Sequence, residues 1–219
     1  MERIHTHFGS LGLTVLRTSA LIAVAAIATA QTPAGPHNPA KGLHPVGVQP
    51  APSPSPAPIP FCFGDAVSLA CPCDNVGAPG HGCQNSAFTG GAILWASGAS
   101  RIVSDTLQLD VRGTLPNSLS VLLQGDASVR PTAFGDGQRC VGGSLLRLYT
   151  QNAISGMVSF PSAGEPGIAA RNDALGATLR NAAVRYYQVY YRDPAARFCG
   201  EPNGGTFNVS NGMTVTWVK

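Results

Sequence analysis

Six cysteines constrain this chain more than any other feature. Four of them, Cys62, Cys71, Cys73 and Cys83, stand as C-x8-C-x-C-x9-C in the glycine-rich stretch CFGDAVSLACPCDNVGAPGHGC, and Cys140 and Cys199 follow at long intervals. Structural zinc sites use C-x2-4-C knuckles, in which a tight turn lets two thiolates grip one ion. A C-x-C pair fits that geometry poorly. An even number of thiols in an oxidising compartment pairs, so the spacing predicts three disulfides and no structural metal. Six cysteines allow fifteen pairings on paper. Cys71 and Cys73 lie too close to pair comfortably with each other. The expected scheme joins Cys62 and Cys83 to one each of that central pair, forming a small N-terminal cap, and leaves Cys140 to bond Cys199. That last bridge closes a loop of about sixty residues, credited with about 4 kcal/mol by the chain-entropy model. His81, in PGHGC, is the only histidine after residue 60. A lone histidine between glycines reads as a turn residue.

The oxidising compartment is suggested by residues 1–30. Arg3 and Arg17 are basic, SALIAVAAIATA supplies an apolar run, and Ala28-Thr29-Ala30 matches the small-x-small cleavage rule. The run is about 12 residues long, short of the roughly 20 that span a bilayer. It reads as an export signal cleaved before Gln31, giving a secreted, extracellular or cell-surface protein with no membrane span after cleavage. Residues 31–60 hold ten of the eighteen prolines and no apolar periodicity. Proline fixes φ and lacks an amide donor, so this stretch is expected to be an extended, disordered spacer.

Residues 61–219 form one domain with enough chain for a core. Eleven basic residues oppose ten acidic ones there, and the arginines are scattered singly. Nothing in this balance favours nucleic acid or an anionic membrane as partner. Short apolar runs are broken by glycine, proline and Asn/Asp turns every ten or so residues, the pattern of an all-β chain. TLQLDVRG sets Leu107, Leu109 and Val111 against polar neighbours; LSVLLQGD, SLLRLYT, GMVSFP and RYYQVYYRDP follow. Only residues 171–184 have helix-forming composition, and Gly176 leaves a short helix or a loop open. The expected fold is an antiparallel β-sandwich, jelly-roll-like or Ig-like, under the disulfide-rich cap. In TFNVSNGMTVTWVK, a three-residue Ser210-Asn211-Gly212 turn would put Phe207, Val209, Met213, Val215 and Trp217 on one buried face of a hairpin.

Together, CPCDNVGAPGHGCQNS, FGDGQRCVGG, YYQVYYRDP and NGMTVTW resemble a cysteine-rich secreted domain of bacterial extracellular proteins. The resemblance spans residues 62–218. It implies an extracellular β domain and carries no activity, ligand or cofactor.

Catalytic constellations are scarce. His81 is the one candidate base for a nucleophilic serine or cysteine, and neither a G-x-S-x-G elbow nor a phosphate-cradling loop is present. A loop-based glycoside hydrolase needs only two carboxylates, and Glu165 and Glu201 are the glutamates available. Both lie in Gly/Pro turns, AGEPG and CGEPNGG, which explain themselves as loop chemistry. Asp65, Asp74 with Asn75, and Asp136 offer hard oxygen ligands for calcium, without a continuous EF-hand to gather the six to eight oxygens the ion wants. The tyrosine strand is the strongest binding candidate. If Tyr187, Val189 and Tyr191 face the core, Tyr186, Gln188, Tyr190 and Arg192 point outward as a platform for sugar rings or a surface protein. The expectation is a non-enzymatic, cofactor-free structural or adhesive module, with a carbohydrate-binding module on the tyrosine strand as the alternative and a hydrolase third.

Overall fold

The computed structural model describes residues 54–67, 70–194, 199 and 205–219. The stretch read as an export signal and Glu201 lie outside these residues, as does most of the proline-rich stretch. Within the described residues, ten strands and one short helix follow in order: β1 (Ile59–Phe61), β2 (Ile93–Ser97), β3 (Gln108–Arg112), β4 (Leu119–Gly125), β5 (Ala127–Phe134), β6 (Gly137–Gly142), β7 (Leu146–Asn152), β8 (Met157–Phe160), α1 (Ile168–Ala174), β9 (Ala183–Arg192) and β10 (Phe207–Trp217). β1 falls inside the stretch read as spacer, so the domain begins before Phe61.

All these strand pairs are antiparallel. One sheet has five strands, ordered β1-β10-β9-β4-β7, a second has three, β2-β3-β8, and β5 and β6 form a separate hairpin. The core lies between the two larger sheets. Leu94, Leu109, Val111, Val158 and Phe160 come from the three-stranded side, and Leu122, Leu148, Tyr187, Val189, Tyr191, Met213, Val215 and Trp217 from the other. Strict alternation in β3 buries Leu109 and Val111 while Gln108, Asp110 and Arg112 face away, as the period-two pattern demands. The expected β-sandwich is therefore present.

The helix starts earlier than the composition of residues 171–184 suggests. Asp105 accepts hydrogen bonds from Leu107 N and, at 2.9 Å, from Ala169 N at the helix start. Gly176, at φ 72°, ends it. Gly176 N donates to Asp173 O and Ala177 N to Asn172 O, the paired bonds of a glycine-terminated helix. A buried hydrogen-bond chain then ties the helix to the main sheet: Trp217 Nε1 donates to the Tyr187 hydroxyl, which donates to Gln124 Oε1, and Gln124 Nε2 donates to Asn172 Oδ1.

Two expectations are corrected. Residues 207–217 are not a hairpin but one long strand paired along β9. Val209 pairs with Tyr190 and Gly212 with Gln188, so β10 advances three residues while β9 advances two. One extra residue in an antiparallel strand exchanges its faces. Phe207 and Val209 consequently share a face with Tyr190 and Arg192, whereas Met213, Val215 and Trp217 share the core face with Tyr187. Asn211, within the bulge, accepts a bond from Leu94 N at 2.6 Å and donates to Leu94 O at 3.1 Å, so its amide completes the backbone pairing of β2 across to β10.

The second correction concerns the disulfides. All six cysteines are paired, as Cys62–Cys140, Cys71–Cys83 and Cys73–Cys199. Cys140 does not bond Cys199, and only Cys71–Cys83 stays within the early cluster. The physical reason is that this cluster is packed onto the sheets: an added Cβ at Gly82 would lie 2.2 Å from Val209 O of β10. The cap is sewn into the sandwich instead of standing apart.

Candidate functional site

β9 has the pleat expected of it. Tyr187, Val189 and Tyr191 are fully buried, and burial pushes the hydroxyl pKa of both tyrosines far up. The opposite face, however, is not an open platform. Gln188 is 0% exposed. Its Oε1 accepts a bond from Cys140 N, and its Nε2 donates to Gln138 O at 2.7 Å and Ser210 O at 2.8 Å. Tyr190 packs against Phe134 and Phe207, with ring centroids 6.2 and 5.0 Å away. Tyr186 meets the edge of Phe61 at 5.8 Å, and Arg192 Nη1 donates to Thr206 Oγ1. The β5–β6 hairpin covers the strand and the Phe61 ring shields Tyr186, which periodicity within β9 cannot reveal.

The aspartates weighed for calcium are dispersed. Asp65 accepts bonds from Val67 N and Gly80 N, and Asp74 is exposed at φ 58°. Asp136 is buried in the β5–β6 turn, where its Oδ1 accepts a bond from Gly205 N. Burial, helped by the nearby Asp193 carboxylate, raises the pKa of Asp136. Among the described residues no three His, Cys, Asp or Glu side chains gather as a metal site. Glu165 is held in its turn by Ser162 N and Oγ. His81 Nδ1 lies 2.8 Å from Gly91 O, which makes Nδ1–H the donor, and His81 N donates to Ala78 O.

The open face lies on the other sheet. Register places Ile93 beside Arg112 and Met157, and Trp95 beside Asp110 and Ser159, with Ser97 beside Gln108. Trp95 is 37% exposed and Met157 57%. The Arg112 guanidinium carbon sits 5.5 Å from the centre of the Trp95 ring. Asp110 Oδ1 accepts a 2.6 Å bond from Ser159 Oγ, and Gln108 Nε2 donates to Pro161 O. Trp95 also lines a groove of about 350 Å³ with Pro58, Pro60, Phe63 and Met213. An indole, a guanidinium, a carboxylate and an amide thus share one solvent-facing surface. The sequence reading missed it, although alternation in AILWASG around the apolar Leu94 sets Ile93 and Trp95 on the opposite face.

No protein-family model, curated protein or solved structure matches the chain.

Proposed function

We propose that this chain is an exported, non-enzymatic adhesive module that holds extracellular glycan on the outer face of its three-stranded sheet. The observation that carries the reading is the uncovered surface of Trp95, Asp110 and Arg112. A flat indole offers the apolar surface against which the C–H face of a sugar ring stacks, and charged and amide groups beside it supply partners for hydroxyls. The carbohydrate-binding alternative therefore moves from the tyrosine strand to Trp95. Export is supported by the signal-like residues 1–30 and by three disulfides of the kind that persist in oxidising compartments. Among the described residues no helix is long and apolar enough to cross a membrane.

The test is glycan-array and polysaccharide-retention binding by the protein purified from an oxidising compartment. Binding is expected to be lost in Trp95→Ala and weakened in Arg112→Ala, with thermal unfolding confirming that both fold. Tyr190→Ala, whose ring belongs to a packed aromatic cluster, is expected to lower stability and leave binding intact. Binding that survives Trp95→Ala, or no binding to any glycan, would overturn the reading.

A further inference from the structure

A second surface carries an inference independent of the glycan reading. Between the β5–β6 hairpin, the start of β7 and the end of α1 lies a groove of about 580 Å³, within the size range of small-molecule sites. Phe134, Leu145, Leu146 and Leu175 supply apolar walls, and Arg139 and Arg147 are its charged residues. Leu145 and Leu175 are 41% and 39% exposed, so this apolar surface meets solvent. The Arg139 guanidinium carbon lies 5.2 Å from the centre of the Phe134 ring, and its Nε is buried without a hydrogen-bond acceptor among the described residues. A buried donor lacking an acceptor is costly, and among the described residues no carboxylate lines the groove to supply one.

We infer that this groove binds a free long-chain carboxylic acid, its hydrocarbon along the leucines and its carboxylate between Arg139 and Arg147. Charge complementarity selects the acid: two guanidinium groups at an apolar trough match a ligand with one anionic end and an apolar body. An added peptide strand fits less well, because on the adjacent edge strand β7 the Leu148 carbonyl already accepts a 2.7 Å bond from Arg171 Nε.

Fluorescence titration of the full chain with cis-parinaric acid and with its methyl ester tests the inference. The acid is expected to bind saturably at one site. The ester, and the acid with Arg147→Glu, are expected to bind about tenfold more weakly, the effect of losing a charge-assisted hydrogen bond; Leu145→Glu, which puts a carboxylate on the apolar wall, is expected to weaken the acid at least as much by like-charge repulsion. Both substituted positions are exposed, and thermal unfolding checks their folding. The acid–ester comparison needs no variant. Absence of saturable binding, equal affinity for acid and ester, or displacement of the probe by a carboxylate-ended apolar peptide but not by palmitate would each overturn it. Trp95→Ala is expected to leave the titration unchanged, which separates this site from the glycan face.

Discussion

Gln188 shows how a residue's chemistry can be visible in sequence while its role is not. The two-residue period of β9 correctly sets it opposite Val189, but its amide is consumed by Cys140 N, Gln138 O and Ser210 O. Gln188→Leu keeps the volume and strands those backbone groups, so it is expected to cost about 2–4 kcal/mol in urea unfolding. Asp136 makes a different prediction. A carboxyl with a raised pKa binds its proton more tightly in the folded chain than in the unfolded one. Its contribution is fully present below the unfolded pKa and is lost as pH rises through the folded value. This contribution should therefore grow as pH is lowered from neutrality toward the ordinary carboxylate range. Asp105, raised chiefly by its own burial, acts in the same direction. Unfolding curves of Asp136→Asn across pH should be flatter than those of the unaltered protein, retaining the part due to Asp105; an unchanged slope would remove Asp136 from the account.

Among the elements, β10 carries the main lesson. Its apolar residues were readable, and so was the need to correct a register across Ser210-Asn211-Gly212. The chain makes that correction with a bulge inside one strand, where the sequence reading placed a turn. Both solutions use the same local residues, and only the pairing of β10 with β9 and β1 decides between them. Strands buried on one face, such as β3, were legible because alternation is a local signal. The hairpin that covers Tyr190 was not, because tertiary packing writes no period into β9. Asn211→Ala should cost about 2–3 kcal/mol through two lost bonds to β2. Hydrogen exchange at the Leu94 amide should quicken, with little change at Val111.

At the scale of the whole molecule, the cross-links decide how the parts cohere. Peptide mapping without reduction should recover Cys62 with Cys140, Cys71 with Cys83 and Cys73 with Cys199. The Cys73–Cys199 bridge spans 126 residues of sequence and Cys71–Cys83 only 12. The chain-entropy model then assigns about 5 and about 3 kcal/mol respectively. Replacing the first pair by serine should lower stability more than replacing the second. Six paired cysteines were legible from their number and spacing; their partners were not, since the packing of Gly82 against Val209 and the hydrogen bond that Gln138 Nε2 donates to Ala70 O are long-range. The placement of Cys62 immediately after β1 also governs how the domain answers a pull. Tension applied ahead of β1 would unzip its three residues from β10 one hydrogen bond after another. It would then meet the covalent link to Cys140, which hands the load to β6 behind Gln188. Extension is thus arrested after a few residues in the oxidised protein, and reduction removes the stop, leaving the sheet to yield strand by strand.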